Sequence, residues 1–371
     1  MEKVKLGEYV NIKTGKLDAN TSDINGKYPF FTCSKEPLLI NNYSYDCESV
    51  LVAGNGNLNV KYYNGKFDAY QRTYIIESKD KQILNTKYLY YLINSRIGKL
   101  RRDSIGGVIK YIKLGNLTNI EFLLLGMSEQ SKIVRILDEI QLIIDIRKKQ
   151  IGELDELIKS QFVEMFGNPI INDKNINYME MPDVCEIIDG DRGKNYPKAE
   201  EFFDEEYCLF LNAKNVTSNG FSFENCMYIT EEKDRTLRNG KLKRGDVVLT
   251  TRGTVGNLAF YTEEIPFENI RINSGMVILR MKRDIVNEIF FIEQFKMQLD
   301  NIKNKIANGS AQPQLPIAKM NGIKVLLPDI KLQNQFAEIV IQIDKQKFEI
   351  QKSLEEMKKL QENLMNKYFG G

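Results

Sequence analysis

Few side chains able to make or break bonds stand in arrangements that could do so. The chain has no histidine and no tryptophan. That excludes Ser-His-Asp and Cys-His triads, His-ligated zinc and HExxH peptidase sites. Five cysteines, Cys33, Cys47, Cys185, Cys208 and Cys226, form no C-x-x-C pair. An odd number at irregular spacing gives neither a disulfide framework nor a zinc knuckle, so a reduced, cytoplasmic chain is expected. Glu231-Glu232-Lys233 supplies the Glu-x-Lys of a metal nuclease, but no partner aspartate on a neighbouring strand is evident. In a chain rich in Glu and Lys it reads as a solvated turn. Gly54-Asn55-Gly56 begins like a dinucleotide loop, yet Asn59 stands where the third glycine belongs. There is no Walker lysine loop and no Asn-Pro-Pro-Tyr methyltransferase motif, so no catalytic centre, metal site or cofactor is expected in this chain.

What remains is binding. The 371 residues suggest two folded units, and 52 basic against 50 acidic residues leave a net charge of only +2. Split by region, residues 1–127 hold 18 basic and 12 acidic residues, and residues 168–329 hold 21 and 24. The first half is basic, and the second carries a local cluster at Arg235, Arg238, Lys241, Lys243 and Arg244. Such clusters can line a groove without moving the total. The start, Met1 to Leu6, has no apolar signal core, and no apolar run approaches ~18 residues, so no membrane span is expected.

The elements that must position any site are set by an internal repeat. Shifting the sequence by 203 residues places Ile120-Glu121-Phe122-Leu123-Leu124 on Ile323-Lys324-Val325-Leu326-Leu327. The same shift places Gln130 on Gln333, Ile136 on Ile339, Ile140 on Ile343, Leu157 on Leu360 and Phe166-Gly167 on Phe369-Gly370. At other offsets Leu6 to Val10 with Gly15 resembles Met181 to Cys185 with Gly190, and Gly56-Asn57-Leu58 recurs as Gly256-Asn257-Leu258. The chain is a tandem duplication with kept ends and altered centres.

The kept segments are amphipathic helices. One stripe reads Ile133, Ile136, Leu137, Ile140, Ile144, Ile151, Leu154, Ile158. The other reads Phe336, Ile339, Val340, Ile343, Ile350, Leu354, Met357, Leu364. Spacings of three and four over about ten turns end at Phe-Gly, a stop signal. At ~1.5 Å per residue each helix runs roughly 57 Å, too long for one small domain to cover. Two such helices can bury each other as an antiparallel or parallel coiled coil, and the antiparallel pair is expected. Ile143, Ile146 and Phe162 fall outside the main stripe and read as surface for a partner. The intervening regions are strand-rich, with Gly/Asn turns between runs such as Val50-Leu51-Val52 and Asp246 to Thr250. The expected fold is α+β: domains at 1–127 and 168–329, helices at 128–167 and 330–371, related by a pseudo-twofold repeat.

At this point the residues carry a likeness. Two divergent halves, each followed by a related long helix, resemble the specificity subunit of type I restriction–modification enzymes over the whole chain. Gly245 to Asn257 looks like that family's strand–turn–strand, Arg271 to Met276 like the segment after it, and Asn308 to Leu315 like the loop before its closing strand, Val325 to Pro328. The first half departs from this, with Gly106-Gly107 for Gly309-Ser310, no Gln-Pro step, and Leu125 for Pro328. The resemblance implies that each half is a target-recognition domain reading one part of a split double-stranded DNA sequence. The helix pair would set the spacing and dock the partners. Those are two adenine-N6 methyltransferase subunits and restriction motor/nuclease subunits, on which S-adenosylmethionine, ATP and Mg2+ are expected. The subunit itself would be non-catalytic.

DNA reading needs donors and acceptors on loops that reach a groove: Arg for guanine, Asn and Gln for adenine, Lys, Ser and Thr for phosphates. In the first half the candidates are Asn55, Asn57, Lys61, Gln71, Arg72, Arg101, Arg102, Lys110 and Tyr111. In the second they are Arg192, Lys194, Lys214, Asn215, Arg252, Thr254, Arg271, Gln312 and Gln314. Tyr62, Tyr63 and Tyr74 read as strand packing. A stand-alone bivalent DNA-binding or scaffold protein with no methyltransferase partner is the alternative. A nuclease with its own metal site is the third class, disfavoured by the missing motifs.

Overall fold

The computed structural model describes residues 3–306 and 314–370. The chain divides into two compact units, one formed by residues 1–149 and 350–371, the other by residues 150–349. The long helices, Met127–Phe166 and Ile330–Phe369, are each cut by this division. Among the described residues no helix is long and apolar enough to cross a membrane.

In the first unit a six-stranded sheet runs, in spatial order, Val10–Thr14, Thr73–Ser78, Tyr45–Ala53, Val60–Ala69, Tyr28–Phe31, Leu38–Ile40. The central strand alternates little because both its faces are covered. Val50 and Val52 point to a core shared with the helix Thr86–Ser95, while Leu51 packs with Phe31, Phe67 and Ile75. The three tyrosines are structural. Tyr62 donates to Glu48 at 2.7 Å, Tyr63 packs edge-on to Phe67, and Tyr74 donates to the Ile112 carbonyl at 3.2 Å.

The second unit repeats the first four positions of that order with Cys185–Asp189, Met276–Met281, Val247–Thr250 and Leu258–Phe260. It then departs. A separate sheet of Tyr228–Ile229, Cys208–Leu211 and Ile270–Ile272 packs behind the first through Leu209, Leu211, Ile270 and Ile272. Each unit also has a two-stranded closure, Lys3–Lys5 with Glu121–Leu123 and Tyr178–Glu180 with Lys324–Leu326.

Within each unit the two long helices run antiparallel. In the first, Ile133 and Leu137 share a core with Leu364, Met365 and Phe369, and Gln361 donates to Gln141 at 3.0 Å. In the second, Ile158 and Phe162 share a core with Phe336, Val340 and Ile343, and Lys347 pairs with Asp155 at 2.5 Å. The expectation for Phe162 is corrected here. It is fully buried between Phe290 and Phe336, because this half of the helix is enclosed by its domain as well as by its partner helix. Leu142, Ile143 and Ile146 remain exposed.

The repeat also preserves a buried polar clamp. Gln130 and Gln333 are both 0% exposed. The Gln130 side chain accepts from the Asn85 N–H at 2.9 Å and donates to the Ile83 and Leu125 carbonyls, each at 2.8 Å. Gln333 accepts from the Asn287 N–H at 2.9 Å and donates to Ile285 at 3.0 Å and Pro328 at 2.8 Å. Leu125 and Pro328 are interchangeable here because only their carbonyls are used. Asn85 and Asn287 in turn cap the next helices, Thr86–Ser95 and Glu288–Ile306. One buried amide thus ties a long helix to the domain that precedes it, with its own polar atoms satisfied.

Candidate nucleic-acid interface

In the first unit, backbone hydrogen bonds gather residues from three chain segments onto one rim. The central strand ends at Ala53, and the next residue, Gly54, donates its N–H to the Arg72 carbonyl at 2.8 Å and accepts at its carbonyl from Ile112 at 2.9 Å. Asn55 bridges to Tyr111, and the Gly56 N–H donates to the Lys110 carbonyl at 2.9 Å. Arg101 reaches the same turn, donating to the Leu58 carbonyl at 2.8 Å and to Asn57 at 3.2 Å. Asn55, Asn57, Arg72, Arg101, Lys110 and Tyr111 therefore stand together, with Arg102 beside Arg101. Arg72, Arg102 and Lys110 are exposed. Gln71 is also exposed, but its amide donates to Asp18 at 2.6 Å. Lys61 is half-buried, donates to Asn59, and has its pKa lowered by that burial.

The second unit repeats two of these backbone bonds and the bridge. The Thr251 N–H donates to the Gly275 carbonyl at 2.8 Å, and its own carbonyl accepts from Leu315 at 2.9 Å. Arg252 bridges to Gln314. Thr251 thus takes the place of Gly54, Arg252 that of Asn55, Gln314 that of Tyr111 and Leu315 that of Ile112. The turn is tight because Gly256 sits at φ +98°, where side chains are disfavoured. Arg252, Thr254 and Gln314 are exposed. Arg192 reaches the same rim, donating to the Ser274 carbonyl at 3.2 Å while pairing with Asp189 at 3.0 Å. Lys194 is exposed on the loop that follows, and Lys214 on the short turn Ala213–Asn215. Gln312 lies outside the described residues.

Two candidates are corrected. Asn215 is buried; its side chain accepts from the Asn212 N–H at 3.0 Å and donates to the Ser222 carbonyl at 3.0 Å. Arg271 is 5% exposed. Its guanidinium pairs with the Asp234 carboxylate and donates to the backbone carbonyls of Asn239 at 2.8 Å, Asp234 at 2.8 Å and Leu237 at 3.1 Å. Four of its five N–H donors are taken up inside the fold, and the group is too buried to reach DNA. Residue type alone does not tell whether donors are already taken. Glu231-Glu232-Lys233 starts the helix Glu231–Thr236, with Lys233 paired to Glu201 at 2.9 Å, not a strand edge. Among the described residues no group of three or more Cys, Asp or Glu is placed to hold a metal.

Asp234 makes the Arg271 pairing pH-sensitive. Burial favours its neutral form, but the bonds from Lys241, at 2.6 Å, and from Arg271 outweigh that and hold the carboxyl below its ordinary value. A depressed carboxylate adds stability that is complete above the ordinary carboxylate pKa and is lost as pH falls through the lowered one. Asp234→Asn is expected to cost about 3 kcal/mol at pH 7, by leaving Arg271 buried without its counter-charge. The gap from the native chain should narrow below about pH 4. Urea unfolding of both chains between pH 3 and pH 7 checks this; a constant gap would separate Asp234 from the pH dependence.

Comparisons with known proteins give the family and the fold. A family model described as "Type I restriction modification DNA specificity domain" matches residues 1–156 and again 173–359. The type I restriction enzyme EcoDI specificity subunit of Escherichia coli is 40% identical over 156 residues, covering 42% of this chain and about a third (34%) of that protein. The MjaVIII specificity subunit of Methanocaldococcus jannaschii is 23% identical and matches 98% of this chain and 91% of its own length. In fold, the chain is similar to the S subunit of a type I restriction-modification system from M. genitalium, with TM-score 0.63 at 19% identity, covering 99% of this chain and 96% of that one. Two matched domains, together spanning most of the residues, place the chain by family: it belongs to the type I restriction–modification DNA specificity family and carries one specificity domain in each half.

Proposed function

We propose that each unit reads one part of a bipartite double-stranded DNA target, and that partner subunits methylate adenine there. The observation that carries this is the shared rim. One backbone frame presents Asn55 and Tyr111 in the first unit and Arg252 and Gln314 in the second. A constant frame with exchanged side chains is what two readers of different sequences require, since side chains at base edges set specificity. The exposed Leu142, Ile143 and Ile146 of one helix, and Ile341 and Phe348 of the other, are suited to docking two methyltransferase subunits. Restriction subunits would join that assembly. S-adenosylmethionine, ATP and Mg2+ would act on the partners, and this chain would contribute recognition without catalysis.

Arg252→Ala tests the reading. It should cost about 1–3 kcal/mol at the second half-site, relax the base preference there and leave the first half-site alone. The measurement is single-molecule sequencing of methylated adenines in cells carrying each form. An unchanged pattern would remove Arg252 from the reading set. Gln312→Ala is expected to act on the same half-site.

A further inference from the structure

The hairpin Ile105 to Tyr111 of the first unit carries two exposed apolar side chains at its tip. Val108 at its tip is 103% exposed and Ile109 62%. Isolated exposed aliphatics are ordinary on a surface. This pair differs in how it is held and in what surrounds it. The base of the hairpin is closed by two bonds, Ile105 N–H to the Tyr111 carbonyl at 3.0 Å and Tyr111 N–H to the Ile105 carbonyl at 2.8 Å. Gly106 turns it at φ +116°, and a Cβ there would lie 2.5 Å from the Ile109 carbonyl oxygen, so the turn is built around glycine. The bonds from Gly56 to Lys110 and from Ile112 to Gly54 fasten the hairpin to the rim. The hairpin that carries these two exposed aliphatic side chains is thereby fastened to the rim, next in chain to Lys110 and on the turn that Arg101 reaches through Asn57 and Leu58.

That combination fits duplex DNA. The cations suit phosphates, and the one apolar group on a major-groove base edge is the thymine 5-methyl. Asn55, on the same rim, has the amide that pairs with adenine, the base opposite thymine. We propose that Val108 and Ile109 read the 5-methyl group of thymine in an A·T pair of the first half-site. This rests on the first unit being a DNA reader, and the test separates the two ideas.

The full chain, assembled with its methyltransferase, is titrated with a duplex carrying the target found by methylation sequencing. Each thymine of the first half-site is replaced in turn by deoxyuridine, which lacks only the methyl. One replacement should weaken binding by roughly threefold to tenfold, as expected for losing one buried methyl contact. With Val108→Ser and Ile109→Ser combined, the same replacement should change binding by less than about twofold. These sites are solvent-exposed, so folding is preserved. No sensitive position in the native complex, or equal sensitivity in the variant, overturns the proposal while leaving DNA reading intact. Loss of the methyltransferase from the serine variant would make the hairpin a protein contact, and the proposal falls. A native complex that binds no duplex overturns DNA reading itself.

Discussion

A chain with four residues inserted after Gln150 is expected to methylate a target whose half-sites are unchanged but stand one or two base pairs further apart. The boundary between the compact units falls between residues 149 and 150 on one long helix and between 349 and 350 on the other. An insertion after Gln150 lies one residue inside the second unit, beside that boundary, and lengthens this helix between the two cores. Four residues add ~6 Å and slightly more than one turn, so the apolar stripe stays nearly in phase. B-DNA rises ~3.4 Å per base pair, which sets the size of the change. Two inserted residues rotate the helix by about 200° instead. Ile151, Leu154 and Ile158 then face the wrong way and assembly should fail. Sequencing of methylated adenines reads both outcomes. An unchanged gap, or altered half-sites with the gap kept, would show that the helices do not set the spacing.

Gln333→Leu should be among the most damaging substitutions of a residue that touches no DNA. It strands the Asn287 N–H and the Ile285 and Pro328 carbonyls together. A buried group left unpaired costs ~1–3 kcal/mol, so the variant should lose about 3–5 kcal/mol, a large share of a typical domain's stability. Hydrogen exchange should accelerate at the Asn287 amide and through the helix it caps, while the first unit keeps its protection. Gln130→Leu should do the same to the first unit through Asn85. A loss under about 1 kcal/mol would mean that water replaces the amide and that the clamp does not bind helix to domain.

Much of this fold was legible in the sequence, and what was not has definable causes. The helices expected at 128–167 and 330–371 are Met127–Phe166 and Ile330–Phe369, because a stripe at spacing three and four with a Phe-Gly stop is a local signal. Strand positions were readable for the same reason. The rim was not: Gly54, Arg72 and Ile112 belong to three segments joined mainly by main-chain bonds, which no side-chain pattern encodes. Gln130 and Gln333 registered as matches in the repeat, yet a buried glutamine and a solvated one are spelled alike. Arg271 misled because its acid partner, Asp234, lies 37 residues away. Val108 and Ile109 carry no donor or acceptor, so residue chemistry alone does not mark them as readers.

The shared rim has a consequence for how such a protein can change. Its frame is made of main-chain bonds, from Gly54 to Arg72 and Ile112 and from Thr251 to Gly275 and Leu315. The half-buried Asn55 and the exposed Tyr111, Arg252 and Gln314 contribute no side-chain atom to those bonds. On the proposed reading, mutation at these positions alters what is recognised while the main-chain frame that holds the rim stays as it is. Selection for a new target and selection for a folded subunit act on separate sets of atoms, and the two halves can diverge in specificity independently of one another.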